Sequence, residues 1–301
     1  MSKVSSDTQL LQSFSDALVS VVRKTSESVV QVSSGRGIGT GIVWDREGHV
    51  ATNSHVVGRA TKLEVAFVNG ERVRATLVGQ DRFSDIAVLR IEKGATSLRP
   101  IERGDSGDLA TGQFVLALAN AFGDRVAASS GIITNPKGSI GGQWSDGLVI
   151  TDVRLNRGYS GGPLIDASGR MIGMNAAVFG NRGIAIPVNV LSTVVSELSN
   201  NGSIKRAYLG IVSNPITLPD EIARELDQSE GLIVLSVEPG TPAKKAGVAV
   251  GDIIVKLDSR QIGSYFDLHR ILTGSAIGRE TKLSVLRGEK LTELSIIPVE
   301  A

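Results

Sequence analysis

The segment whose residue types could do chemistry is Asn156-Arg157-Gly158-Tyr159-Ser160-Gly161-Gly162-Pro163-Leu164, a serine set among three glycines. Glycine at 158 frees the backbone so that its N–H and that of Ser160 can converge on one point. Such a pair of donors suits the oxyanion that forms when a hydroxyl attacks a carbonyl. Gly161, Gly162 and Pro163 let the chain turn back without crowding the hydroxyl. Taken alone, the segment reads equally well as a glycine-rich turn with an incidental serine. Serine is a weak nucleophile at neutral pH, so the chemical reading requires a base and a group to orient it. Thr52-Asn53-Ser54-His55-Val56-Val57 supplies a histidine at the end of an apolar strand, and Ser84-Asp85-Ile86-Ala87-Val88-Leu89 supplies a carboxylate at the start of another. His55, Asp85 and Ser160 follow in that order with gaps of 30 and 75 residues, an order known for catalytic triads. Of the two other histidines, His49 belongs to a turn before the strand that leads to His55 and reads as structural; His269 reads as a surface residue.

Those residues need a scaffold. At 301 residues the chain holds about two domains. Its 41% hydrophobic and 21% charged residues exclude a disordered chain, and 32 Lys+Arg against 31 Asp+Glu leave a net charge of +1, with no general basic field for nucleic acid or an anionic membrane. With no cysteine there is no disulfide, thiolate nucleophile or Cys-ligated metal, and the serine chemistry calls for no metal or cofactor. No stretch approaches the roughly 18 to 20 apolar residues of a membrane span. Near the N-terminus Leu10, Leu11, Phe14, Leu18 and Val22 recur with helical spacing, capped near Ser6 or Asp7. Asp7 and Asp16 argue against reading this stretch as a secretory signal. As given, the sequence is expected in the cytoplasm, or outside it if a leader or anchor has been removed.

Short β-branched runs follow at 29–32, 39–44, 50–53, 63–67, 72–80, 86–91, 114–119, 126–134, 148–151, 163–165 and 171–178, a rhythm of β-barrels or a sandwich. A helix is predicted over 187–198, with Val190, Leu191, Val194, Val195 and Leu198 on one face. The breaker cluster Asn200-Asn201-Gly202-Ser203 then suits a domain boundary. From 207 a compact mixed unit follows: strand 208–212, helix 219–226, strand 232–237, a one-turn helix opened by Thr241-Pro242 and closed by Gly247, strand 252–257, helix 264–272, and a hairpin of 282–286 with 291–299. The organisation read from the sequence is an amphipathic helix over 1–26, a possible oligomerisation segment; a β-barrel unit over 27–200; a linker over 201–206; and an α+β unit over 207–301. No internal repeat is evident.

GTGIVWDREGHVATNSHVV, SDIAVLRI, TDVRLNRGYSGGPL and GIAIP resemble the motif series of HtrA/Deg (DegP-like) serine proteases, and YLGI onward resembles their PDZ domain. The resemblance implies a mainly β chain, a chymotrypsin-like double β-barrel followed by one PDZ module. It implies ATP-independent endoproteolysis of unfolded or misfolded polypeptides, and trimeric assembly through the N-terminal segment. By motif matching, His55 is the general base, Asp85 its orienting partner and Ser160 the nucleophile, with the Gly158 and Ser160 N–H groups as the oxyanion hole. Tyr159 departs from the family, which often has a small polar residue there; altered loop packing is expected, not lost chemistry. The short stretch 179–182 puts any carried-over regulatory loop in doubt.

The resemblance also places the first specificity pocket among 155–160, 175–177 and the segment around 184, naming Leu155, Asn175, Ala177 and Ile184. No acidic residue lies there, so a small or medium aliphatic residue is expected before the cut. Arg157 would favour acidic residues only if it pointed inward; its loop position predicts a solvated or paired guanidinium. Tyr208, Leu209, Gly210 and Ile211 resemble the carboxylate-binding loop of PDZ modules, where backbone N–H groups beside a glycine receive a peptide C-terminus and the following strand edge accepts an added strand. The rival reading, a non-proteolytic chaperone or peptide-binding scaffold of the same fold, is disfavoured by the presence of all three catalytic side chains.

Overall fold

The computed structural model describes residues 6–35, 37–92, 98–138, 147–264, 267–268 and 271–300. These divide into two compact units, one ending at Ile204 and one running from Lys205.

The first unit is two closed barrels. β1 (Val29–Ser33), β2 (Ile38–Val43), β3 (His49–Asn53), β4 (Leu63–Ala66), β5 (Arg72–Asp81) and β6 (Ile86–Ile91) close in the order β1-β2-β3-β6-β5-β4. β7 (Phe114–Ala119), β8 (Ala127–Gly138), β9 (Leu148–Thr151), β10 (Pro163–Asp166), β11 (Met171–Phe179) and β12 (Arg182–Pro187) close in the order β7-β8-β9-β12-β11-β10. The same antiparallel path is therefore drawn twice, although the sequence shows no repeat. Closure removes the sheet edges, and each lumen is filled by inward side chains. Val30, Val32, Val50, Val65 and Leu89 fill the first, and Val115, Ile133, Val149, Leu164 and Ile172 the second. Burying each such side chain stabilises the fold by about 1.5–3 kcal/mol.

β12 is the strand that the sequence reading does not separate. Every residue from Gly183 to Pro187 is buried, so the segment lacks the alternation that marks a strand with one wet face. It pairs with β11 through a tight hairpin at Gly180-Asn181, which leaves no room for a regulatory loop at 179–182.

α1 (Ser6–Ser26) docks on the second barrel: the Phe14 and Phe114 rings meet edge to face at 5.7 Å, and Lys24 pairs with Glu102 at 3.0 Å. Leu10 and Leu11 remain 71% and 69% exposed. α2 (Ser54–Val57) is a single turn after β3. α3 (Val188–Asn201) buries Val188, Leu191, Val195 and Leu198 and stops at Gly202, whose left-handed backbone returns an N–H to the Leu198 carbonyl. Val190 faces solvent, contrary to the predicted apolar face, which Val188 completes in its place.

In the second unit β14 (Ile211–Thr217), β15 (Glu230–Val237), β16 (Ile253–Leu257), β18 (Thr281–Arg287) and β19 (Lys290–Ile296) form one sheet in that order, with β17 (Arg260–Gln261) beside β16. β13 (Ala207–Tyr208) pairs separately with β20 (Val299–Glu300). The strand predicted over 208–212 is thus two strands broken at Gly210. α4 (Asp220–Leu226) and α5 (Pro242–Lys245) fall where expected. Thr241 occupies the N-cap position of α5, but its hydroxyl donates back to the Glu238 carbonyl and caps no helical N–H. Ser264 and Asp267 bond reciprocally in a capping box where the helix over 264–272 is expected to begin. His269 lies outside the described residues.

Candidate active site

The β3–β6 register sets Asn53 against Ile86, so the residues just beyond, His55 on α2 and Asp85 before β6, come together. The Asp85 carbonyl accepts from the Ser54 N–H and the Asn53 side-chain amide, both at 3.0 Å. One carboxylate oxygen accepts the His55 N–H at 2.9 Å; the other lies 2.7 Å from His55 Nδ1. Asp85 holds a left-handed backbone, φ 54°, uncommon for a residue with a side chain, and these contacts over-determine it. Its carboxylate is 8% exposed while the imidazole is 51% exposed. The carboxylate therefore sits behind the ring, and Nε2 faces the cleft. His49 offers the contrast: Asp45 lies 2.6 Å from its Nδ1 and Arg90 donates to its Nε2 at 3.1 Å, so neither ring nitrogen is open to a substrate.

Ser160 lies in the turn between β9 and β10 and lines one cleft with His55. Its neighbouring glycines answer to specific contacts. Gly158 has φ 94°, and a Cβ there would meet the Ala121 methyl at 2.5 Å. A Cβ on Gly161 would lie 2.0 Å from the Thr40 carbonyl oxygen and one on Gly162 2.1 Å from that of Leu118. Backbone cannot yield as a flexible side chain can, so both sites exclude any larger residue. The N–H groups of Gly158 and Ser160 have no backbone partner among the described residues, whereas those of Tyr159, Gly161 and Gly162 bond to Asn156, Asn175 and Tyr159. The serine hydroxyl donates to the Ala176 carbonyl at 3.3 Å. That carbonyl is available because a bulge between Asn175 and Ala177 takes Ala176 out of the β11–β12 ladder.

Thr40, on β2 of the other barrel, ties this turn down, and the sequence reading did not single it out. Its hydroxyl donates to the Gly158 carbonyl at 2.6 Å and accepts the Asn120 N–H at 2.9 Å. Its own N–H donates to the Ser160 carbonyl at 2.9 Å, and its carbonyl accepts the Thr52 hydroxyl at 2.7 Å. One buried threonine thereby joins the serine turn to β3, the strand that leads into His55.

Of the residues expected to wall the first pocket, Asn175 and Ala177 lie on β11, Ile184 on β12 and Leu155 in the stretch after β9. Ala177 pairs with Ile184, which is fully buried, and Leu155 packs against the second barrel's core. The Asn175 side chain is buried and donates to the Pro163 carbonyl at 3.1 Å, while its backbone accepts the Gly161 N–H and donates to the Gly162 carbonyl, so this residue braces the turn through both. Tyr159 is buried in the cluster with Val153 and Leu164, and burial pushes its phenol up, which keeps it neutral. Arg157 is exposed.

In the second unit Gly210 has φ 84°, and a Cβ there would strike Thr241 at 2.2 Å. The Leu209 and Gly210 carbonyls accept from the Ala243 and Glu238 N–H groups, which anchors the loop from behind, while Tyr208 donates its hydroxyl to Glu238 at 2.6 Å. β14, which begins at Ile211, is an outer strand of its sheet.

Residues 39–174 match the trypsin-like peptidase domain family, and 207–297 the PDZ domain family. The class is thus a peptidase domain of the double-barrel kind followed by one PDZ domain. A chloroplastic protease, Do-like 1 of Arabidopsis thaliana, is 36% identical over 87% of this chain and 63% of its own length. The periplasmic pH-dependent serine endoprotease DegQ of Escherichia coli is 35% identical over 86% of this chain and 59% of its own. The chain therefore spans about three-fifths of the length of these curated relatives. Among solved structures, an HtrA-type protease, AlgW with a decapeptide, superposes with a TM-score of 0.78 at 26% identity, covering 93% of this chain and 98% of that one. The chain thus joins a trypsin-like peptidase domain to one PDZ domain and is similar along most of its length to proteins named as HtrA-type and Deg proteases. Among the described residues no helix is long and apolar enough to cross a membrane.

Proposed function

We propose that this chain is a serine endopeptidase that cuts unfolded or misfolded polypeptides without ATP, using His55, Asp85 and Ser160. The observation that carries the reading is the His55–Asp85 pair opening onto the cleft that Ser160 lines, beside two backbone N–H groups with no backbone partner among the described residues. Asp85 holds the ring proton on Nδ1 and leaves Nε2 basic. A peptide N–H arriving at the Ala176 carbonyl displaces the Ser160 hydroxyl, which turns to Nε2 through a change of rotamer. Nε2 takes the proton as Oγ attacks the scissile carbonyl carbon, and the Gly158 and Ser160 N–H groups receive the oxyanion. The proton then passes to the leaving amine as the C–N bond breaks, and water repeats the sequence to free the enzyme. Apolar Ile184 and Leu155, with no acid beside them, favour a small or medium aliphatic residue before the cut.

The Tyr208 to Ile211 loop and the outer edge of β14 support binding of extended peptides with a free, apolar C-terminus, whose occupancy regulates proteolysis. Exposed Leu10 and Leu11 on an otherwise docked helix support a homotrimer joined through α1. The organisation into a helix over 1–26, a protease domain over 27–200, a linker over 201–206 and a PDZ domain over 207–301 accords with this division of labour. For compartment, the periplasmic and chloroplastic names of the relatives favour the extracytoplasmic alternative over the cytoplasm. Digestion of casein beside a folded control protein tests the substrate class: casein is degraded and the folded control survives. Equal cleavage of both would replace quality control with cutting of folded partners.

A further inference from the structure

The cleft that His55 and Ser160 share is separate in its lining from the residues expected to wall the first pocket. It encloses about 460 Å³, lined by Gly37, Ile38, the segment from His55 to Ala60, Arg157, Gly158 and Ser160. None of Leu155, Asn175, Ala177 or Ile184 contributes to it. A peptide held with its acyl side on those residues and its amine over His55 must send the chain after the cut into this second cleft. Its lining is lopsided in charge: among the described residues Arg59 and Arg157 are both exposed, neither makes an ion pair, and no aspartate or glutamate lines the space. Arg157 also borders the adjoining hollow formed with Ser33, Gly37, Ile38 and Ala121, again without an acid. Two unmatched guanidiniums facing one cleft leave a positive potential where the leaving half of the substrate lies.

We infer that Arg59 and Arg157 select substrates by the residues just after the scissile bond, favouring aspartate or glutamate there and rejecting lysine or arginine. The inference rests on the serine endopeptidase reading and specifies the side of the cut that reading leaves open. Arg157 thus favours acids after the bond, not before it as it would if it pointed into the first pocket. A carboxylate side chain can pair with either guanidinium in a two-pronged geometry, and a cation meets like charge with nothing to offset it. Ile38, 56% exposed beside them, offers apolar surface for the methylenes of a glutamate or glutamine. Both sites are solvent-facing, so each pair contributes modestly and is weakened by salt.

The test uses the full chain and three internally quenched, C-terminally amidated peptides with valine before the cut. The next two residues are Glu-Glu, Gln-Gln or Lys-Lys, and cleavage positions are fixed by mass spectrometry. The expected kcat/KM for the Glu-Glu peptide exceeds that for Lys-Lys by on the order of tenfold at low salt. That ratio shrinks in Arg59→Gln and in Arg157→Gln and falls to within about twofold in the double variant, and it shrinks in the parent at about 0.5 M salt. A ratio near one in the parent, or one unchanged in the double variant, overturns the inference while cutting of the Gln-Gln peptide leaves the peptidase reading standing. If the parent cuts none of the three faster than Ser160→Ala does, the peptidase reading itself fails and takes this inference with it.

Discussion

Removing one hydroxyl from Thr40 should disable the site without touching a reacting group. Thr40→Val keeps the shape and the β-branch that suits β2, so it opens no cavity. It deletes the donor to the Gly158 carbonyl at 2.6 Å and the acceptor for the Asn120 N–H at 2.9 Å, at a fully buried position. The stranded Asn120 N–H costs about 1–3 kcal/mol and the lost bond to Gly158 about 1 kcal/mol more, so folding stability drops by about 2–4 kcal/mol. Part of that cost can be relieved if the turn shifts so that the Gly158 carbonyl moves away, and because the two peptide planes meet at the Gly158 Cα, that shift carries the Gly158 N–H off the oxyanion position as well. Loss of one such donor lowers kcat by about 100- to 1000-fold, so partial misalignment predicts a fall of about 10- to 100-fold with KM little changed. Steady-state cleavage of a quenched peptide measures the rate and urea denaturation the stability; Thr40→Ser, which restores the hydroxyl, should recover most of both. A Thr40→Val enzyme with kcat within twofold of the parent would refute the argument that this hydroxyl holds the oxyanion hole in place.

In the PDZ domain, burial works to raise the Asp252 carboxyl, but hydrogen bonds from Arg287 and the Ala249 N–H, with the guanidinium charge, outweigh it and hold it below its ordinary value. Its contribution to stability is therefore present above the unfolded carboxylate range, near pH 4, and is lost as pH falls through the lower folded value. Denaturation of the full chain across pH 2–6 should show that acid-side slope, and Asp252→Asn should flatten it while costing about 1–3 kcal/mol at neutral pH. Gly210→Ala strains a left-handed backbone and drives a methyl into Thr241, so a peptide with a free C-terminus should lose most of its affinity, approaching that of its amidated form. Calorimetry with both peptides measures this; equal affinity for the two in the parent would sink the carboxylate-loop assignment. Deleting residues 1–14 removes Leu10, Leu11 and Phe14 and should convert a trimer to smaller species by light scattering; an unchanged mass removes α1 from the interface.

Eleven of the twelve barrel strands are legible in the sequence to within a few residues, because each is a short β-branched run bounded by turn residues. β12 escapes because both its faces are buried and periodicity has nothing to report. The doubled strand path escapes for a different reason: it is a property of backbone pairing, which many unrelated side-chain sequences satisfy. At the site, His55, Asp85 and Ser160 stand out because their residue types are rare or oddly placed along the chain. Thr40 does not, since a threonine in a strand is unremarkable until the fold brings residue 158 against it across 118 positions of sequence. Val190 shows the limit of helical periodicity, as an apolar residue at an acceptable phase still faces water when Val188 fills the buried edge. Thr241 shows that a good cap residue can spend its hydroxyl elsewhere when the preceding turn offers a closer carbonyl.

The central claim is that the Ser160 hydroxyl, served by His55, is the nucleophile, and casein digestion by the Ser160→Ala chain tests it most directly. The substitution removes one oxygen from a half-buried position, so the fold should persist by circular dichroism and thermal melting. The account predicts that casein stays intact over times in which the parent degrades it fully, a loss of at least about a thousandfold. Casein digested by Ser160→Ala at a rate comparable to the parent would contradict the assignment outright.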